Sequence, residues 1–280
     1  MSSDDSSFSW QDAEKDLVPG VDTSVPVSAR ILNYWLGGKD YYPVDKAAGD
    51  QYAQLFPGIF VSARASHYFL ARVVRFLAGD VGVRQFLDIG TGLPSHDNTH
   101  EIAQRVAPES RVVYVDNDPL VLAHARALLT SKSTGGTDYI DADLNDPDEI
   151  IRIAREKLDF CQPVAIMLMG TLGHIGNPAE DDDGVARSIV DRLKEALPSC
   201  GYLAIRGALE DPEFSAAQEV YNQTGAAPYH LRRADQIIRF FDGLELVEPG
   251  VVPIPEWRPD HSPFGNGTEV PVLGGVGRKP

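Results

Sequence analysis

The sequence predicts an α/β fold built on an open, largely parallel sheet, and three observations carry that expectation. From about Val81, short β-branched runs alternate with longer amphipathic stretches, the pattern of helices crossing over between parallel strands. A glycine turn, Asp88-Ile89-Gly90-Thr91-Gly92, follows the first of those runs, where such sheets bind their ligands. At 280 residues the chain can bury one substantial core with a smaller attachment, since single domains rarely grow beyond ~250–300 residues.

Taken in order, residues 1–23 are expected to form a flexible tail: "MSSDDSSFSWQDAEKD" is acidic and lacks the cationic start and apolar run of a secretory signal. Residues 24–80 read as an N-terminal helical lid. "SARILNYWLGGKDYYPVDKAAGDQYAQLFPG" mixes helix with a Gly-Gly break, and Ile59 to Ala78 is a long helical pattern closed by Gly79 and Asp80. Its packing positions are Ala63, Leu70, Val73, Val74 and Leu77.

Residues 81–280 form the sheet domain, with strands expected in "RQFLDI", "RVVYVD", "TDYIDA", "PVAIMLM", "GYLAIR" and "LELVEP". Val185, Ile189, Leu193 and Leu197 recur every four residues as one apolar helix face. It starts behind Asp181 to Asp183, which read as a solvated helix start, with a divalent-metal site as the alternative. "EPGVVPIPEWRPD" and "VPVLGGVGRKP" carry prolines at strand-edge spacing and are expected to add an antiparallel edge strand.

A net charge of −16 and a pI near 4.7, with no basic stripe, argue against a nucleic-acid partner. No run of ~18 apolar residues occurs, so no membrane span is expected. Two cysteines, Cys161 and Cys200, without metal-ligand spacing suit free, core-like thiols in a reducing cytoplasm.

Glycines let the turn after the first strand approach a ligand closely, but a dinucleotide fingerprint needs a third glycine where Ser95 stands. The charge is more informative. A pyrophosphate would be repelled by Asp88, whereas an amine or sulfonium would be stabilised, which disfavours a nicotinamide cofactor and favours S-adenosylmethionine. Asp116 ends the next strand about 20 residues on, the separation at which an acid receives ribose hydroxyls; capping the helix before Pro119 is its alternative role. Asn117 lies beside it. Asp143 and Leu144 follow the third strand and could offer a carboxylate and an apolar face to adenine, while Asn145 to Asp148 also reads as a helix cap.

"SARILNYWLGGKDYYPVDKAAGD", "RQFLDIGTGLPSHDNTHEIAQ", "VVYVDNDPLVLAHARALL", "YIDADLNDP" and "LVEPGVVPIPEWRPD" resemble class I methyltransferases. More specifically, they resemble the S-adenosyl methyltransferase family once classed as a domain of unknown function. The resemblance spans nearly the whole chain after about Ser24. It implies a seven-stranded Rossmann-like sheet with helices on both faces and S-adenosylmethionine across the strand tips. Asp88, Gly90 and Gly92 are then at its amino-acid end, with Thr91 between them, and Asp116 is at its ribose. The family's "YxLGGKD" is present as Tyr34 to Asp40, with Asn33 where an acid is expected.

Beyond the cofactor, "MLMGTLGHI" brings Gly170, Thr171 and His174 to a strand tip, with His174 either a general base or a side chain satisfied by a backbone carbonyl near Gly176. Tyr34 and Asp40 join it as candidate catalytic groups, and Lys39, Tyr41 and Tyr42 as substrate contacts, if the Gly37-Gly38 break folds as a lid; a plain connector is the alternative. His96 and His100 have metal-like spacing, but Asn98 with Glu101 reads as a capping box, so no metal is expected. The expected function is S-adenosylmethionine-dependent methyl transfer to a small-molecule acceptor. A non-catalytic S-adenosylmethionine-binding sensor or partner protein is the alternative.

Overall fold

The structure is a computed structural model that describes residues 22–94, 97–128, 134–260 and 269–280. Three helices come first: α1 (Ser28–Trp35), α2 (Pro43–Leu55) and α3 (Ile59–Arg75). Asp45 starts α2 by accepting from the Tyr42 and Val27 amides at 2.8 and 2.9 Å, and its carboxylate meets Arg30 Nε at 3.1 Å, so one buried acid ties α1 to α2. The long helix does not end at Gly79 and Asp80. It widens into a π-helical turn over Phe76–Val81 and closes at Gly82, whose φ of 83° suits glycine.

Five strands follow in parallel: β1 (Gln85–Ile89), β2 (Arg111–Asp116), β3 (Gly136–Asp141), β4 (Ala165–Met169) and β5 (Tyr202–Ala208). They are linked by α4 (Thr99–Val106), α5 (Pro119–Leu128), α6 (Pro147–Lys157), α7 (Pro178–Asp181) and α8 (Gly184–Ala196). After α9 (Pro212–Asn222) and α10 (Ala234–Arg239) come β6 (Glu245–Leu246), β7 (Val252–Pro253) and β8 (Val272–Arg278). The order is β3-β2-β1-β4-β5-β8-β6 with β7 also on β8, eight strands where the resemblance implied seven. The extra one is the two-residue β7, and "LELVEP" contributes only Glu245 and Leu246 before the chain turns at Glu248 and Pro249. The C-terminal strand is antiparallel as expected, but it lies between β5 and β6 instead of at the edge.

Strand parity divides the core. Leu87, Val113, Ile166 and Leu203 face α6 and α8, while Phe86, Val112, Ala165 and Tyr202 face α3, α4 and Trp257. Asp88 shares the parity of Phe86 and so turns towards α4. In α8 the buried stripe is Ala186, Ile189, Val190 and Leu193; Val185 is 47% exposed, because a period of 3.6 rotates it off the face that a strict four-residue repeat assigned to it. Cys161 is exposed, since it sits in the turn after α6 and not in the core.

A third apolar cluster joins Ile31 of α1, Tyr52 of α2 and Ile59 of α3 to Phe214 and Tyr221 of α9. The first two helices therefore cap the sheet together with α9, whereas Phe69, Val73 and Leu77 of α3 pack on the sheet itself. Among the described residues, no helix is long and apolar enough to cross a membrane.

Candidate active site

From β1 the chain winds outward through β2 and β3, then returns to β4 on the other side, so the winding reverses between β1 and β4. Ligands bind outside the carboxyl ends of strands at such a reversal. A cleft of about 550 Å³ opens there. Its floor carries Asp88, Gly90, Asp116, Asp143, Gly170 and Arg206, and α1 roofs it with Ser28, Ala29 and Leu32.

Gly90 and Gly92 take φ values of 74° and 66°, and a Cβ on Gly90 would come within 2.4 Å of the Thr171 side chain. The turn is thus closed to any side chain at position 90, which is why glycine stands there. Thr91 holds the turn by donating its hydroxyl to the Asp88 carbonyl at 3.2 Å. Asp88 is 3% exposed and accepts from the Thr99 hydroxyl at 2.6 Å. Burial pushes its carboxyl up to about 6, opposed by the Thr99 hydrogen bond and reinforced by the Asp116 charge.

Asp116 Oδ2 accepts from the Gly92 amide at 2.9 Å, and Oδ1 from the Asp118 amide at 3.0 Å. Helix capping falls to Asp118, whose Oδ1 accepts from Leu120 at 2.7 Å. Asp116 therefore joins the two strand-tip turns, and burial raises its pKa against the pull of those two amides and of the Asn117 amide. Asn117 donates to Asp143 at 3.1 Å, Asp143 also accepts from Asn145, and buried Leu144 adds an apolar wall. The arrangement fits the donor that the sequence suggests: two carboxylates and an apolar face, arranged along one cleft with a backbone free to approach closely.

Gly170 (φ 104°) and Thr171 lead into a 3₁₀ turn ending at His174. His174 Nδ1 lies 2.8 Å from the Pro228 carbonyl, not from one near Gly176. A carbonyl only accepts, so Nδ1 carries the proton and Nε2 of the neutral ring keeps its lone pair. Burial lowers the imidazole pKa, which keeps that base available below its ordinary range. The whole turn is clamped by Arg232, which donates to the Leu172 and Ile175 carbonyls at 2.7 and 2.9 Å. Arg232 is paired with Asp183 at 2.8 Å, both buried. Asp183 is therefore not a solvated helix start.

The Gly37–Tyr42 segment stands apart. Tyr34, Lys39, Asp40, Tyr41 and Tyr42 do not line the cleft. Tyr34 donates to Asp50, which also pairs with Lys46; Tyr41 packs edge-on against Tyr34, and Tyr42 lies under Arg30. Lys39 and Asp40 are exposed. Asn33 explains its departure from the family pattern: buried, it accepts from the Asp40 amide at 3.0 Å and fills the space where a Cβ on Gly38 would lie. These residues build a tight connector between α1 and α2. Asn98 and Glu101 do form a capping box; His100 meets the Tyr114 hydroxyl, and His96 lies outside the described residues.

Sequence reasoning missed Thr99, Arg206, Tyr229 and the Arg232–Asp183 clamp. Only Arg206 gave a local signal, as an arginine closing the otherwise apolar run "GYLAIR".

Comparison with known proteins agrees with this fold. A 43% identical DUF574 family protein from Streptomyces avermitilis matches with a TM-score of 0.86, over 92% of this chain and 99% of that one. A proposed methyltransferase from Thermobifida fusca matches at 39% identity and a TM-score of 0.84, over 93% and 97%. An O-methyltransferase family protein from Burkholderia thailandensis shares the fold at 15% identity and a TM-score of 0.50, over 80% and 60%. No curated protein matches. The family model described as S-adenosyl methyltransferase covers residues 14–280, and the chain belongs to that family, with S-adenosylmethionine as its methyl donor.

Proposed function

We propose that the acceptor is a small molecule. The observation that carries this reading is the shape of the cleft. From the acids at the tips of β1 and β2 it continues into a chamber walled by Trp35, Tyr52, Phe214, Tyr221 and Tyr229, under α1 and beside α9. Its volume of about 550 Å³ lies within the ~300–1,000 Å³ range of small-ligand sites. A net charge of −16 adds electrostatic repulsion against nucleic acid.

S-adenosylmethionine, when bound, supplies a methyl carbon made electrophilic by the adjacent sulfonium. Asp88 and the Gly90–Gly92 turn would hold its ammonium end, Asp116 its ribose, and Asp143 with Leu144 its base. His174 Nε2 serves as the site that receives a proton from the acceptor, and Arg232 positions that ring through the Leu172 and Ile175 carbonyls. The α1 roof excludes water from the reacting groups. The free thiols Cys161 and Cys200 suit a reducing cytoplasm.

The test is transfer of label from methyl-labelled S-adenosylmethionine into a fractionated cell extract. Label in the low-molecular-weight fraction, dependent on the protein, is the expected result. Label confined to the macromolecular fraction overturns the small-molecule reading. Retained cofactor binding with no label anywhere points to a binding protein instead.

A further inference from the structure

The described residues lining the cleft include a single arginine or lysine, Arg206, near the end of β5. Its Nη2 lies where a Cβ on Gly170 would come within 2.6 Å, so the bare glycine at the tip of β4 makes room for the guanidinium. Arg206 is the β-sheet partner of Met169, one residue before that glycine. Its polar neighbour is the Tyr229 hydroxyl, and among the described residues no carboxylate pairs with it.

This contrasts with the two fully buried arginines. Arg30 is matched by Asp45, and Arg232 by Asp183. Desolvation lowers the Arg206 pKa, yet a guanidinium stays charged in a protein. Arg206 is half-buried in the cleft, and a partly desolvated cation is ordinarily paired. An anion delivered by a ligand would complete the site.

From these observations we infer that Arg206 is the anion-binding residue of the acceptor chamber and that the methyl acceptor is a small aromatic molecule bearing a carboxylate. The inference rests on the small-molecule reading above. A guanidinium presents a planar fork of donors that matches a carboxylate in bidentate fashion. Aromatic walls from Tyr52, Phe214, Tyr221 and Tyr229 suit a flat apolar body attached to it. The charges in the cleft are segregated accordingly. Carboxylates stand at the β1 and β2 tips for the cationic donor, and the guanidinium stands at β5 for an anionic acceptor.

The donor's own carboxylate offers the same chemistry. The position of Arg206 argues for the acceptor: β5 is two strands from β1, roughly 9–10 Å at ordinary strand spacing, and on the side of the cleft where α9 contributes its aromatic residues.

The test uses the full chain saturated with S-adenosylhomocysteine, titrated calorimetrically with benzoate and 4-hydroxybenzoate and with the neutral isostere benzamide. The expected result is that the carboxylates bind at millimolar concentration or better, that R206M weakens them by about tenfold or more, and that R206K recovers part of the loss. R206M is expected to leave affinity for S-adenosylhomocysteine, and any affinity for benzamide, within about twofold. Carboxylate binding that is absent, or indifferent to R206M while the variant still binds S-adenosylhomocysteine, overturns the inference. So does a loss of S-adenosylhomocysteine affinity in R206M that a decarboxylated analogue does not share, since the guanidinium then holds the donor. Failure of the wild type to bind S-adenosylhomocysteine at all would instead strike the donor reading.

Discussion

The Thr99 hydroxyl donates to Asp88 Oδ2 at 2.6 Å, at the point where α4 begins over the tip of β1. The pair fixes a carboxylate that is 3% exposed and, among the described residues, has no cationic side chain beside it. Burial outweighs the Thr99 hydrogen bond, so the carboxyl titrates near 6 instead of 3.8. A ligand ammonium would reverse that balance. Asp88 therefore carries a cost in the free protein that the donor's ammonium, bound there as proposed above, would relieve.

The pH dependence follows from the sign of that shift. A carboxyl whose folded pKa is raised binds its proton more tightly in the native state, so its contribution is intact below about 4 and is lost as pH rises through about 6. At pH 7 the anion costs up to about 3 kcal/mol, the value of moving a carboxyl from 3.8 to about 6. We expect D88N to melt higher than the wild type at pH 7, with the difference shrinking towards pH 4, and to bind S-adenosylhomocysteine more weakly. Thermal melts across that range check the first outcome and calorimetry the second.

Asp116 is already engaged by the Gly92 amide on one oxygen and the Asp118 amide on the other, with the Asn117 amide also reaching the carboxylate, which retains a lone pair for a ribose hydroxyl. Asp116→Ala should weaken S-adenosylhomocysteine binding by about 1–3 kcal/mol, the scale of leaving hydrogen-bonding groups unpaired. Unchanged affinity by calorimetry would remove Asp116 from the ribose site.

His174 can be separated into its two nitrogens. An asparagine there keeps a donor for the Pro228 carbonyl but has nothing in place of Nε2. With an acceptor found by the labelling experiment, H174N should lower kcat by about 10²–10⁴-fold and leave S-adenosylhomocysteine affinity unchanged. The wild-type rate should fall with decreasing pH only below the ordinary imidazole range, because burial lowers the pKa of that ring. A wild-type pH profile that H174N reproduces would deny the base role.

The parallel strands and the two acids at their tips were legible because each is announced locally, by an apolar run ending in Asp88 or Asp116. The site's cation was not, because whether Arg206 is paired depends on what β4, Gly170 and Tyr229 bring to it from far along the chain. The Tyr34–Tyr42 segment misled for the opposite reason. Its crowding of glycines and aromatics suggests a mobile cover, whereas Asn33 and Asp45 hold its Asp40 and Tyr42 amides and Arg30 lies over the Tyr42 ring, in a tight connector. Asp183 likewise carries no local mark that distinguishes it from the exposed Asp182 beside it; only the distant Arg232 does.

That last pair yields the sharpest stability prediction. Arg232 spends its guanidinium on Asp183 and on the carbonyls of Leu172 and Ile175, which bracket the turn carrying His174. Removing the acid leaves a buried cation facing carbonyls alone, a change that costs about 3–5 kcal/mol when one partner of a buried pair is deleted. Replacing both partners is less harmful than deleting one, because no uncompensated charge remains. D183A should therefore lower stability by about 3–5 kcal/mol, and the double variant D183A/R232M should recover a substantial part of it. If the clamp also holds the turn that carries His174 in the proposed base role, the double variant should fold and bind S-adenosylhomocysteine while turning over more slowly than the wild type. Denaturant melts of the three proteins measure the coupling, and a D183A chain as stable as the wild type would show that Asp183 does not bear the Arg232 charge.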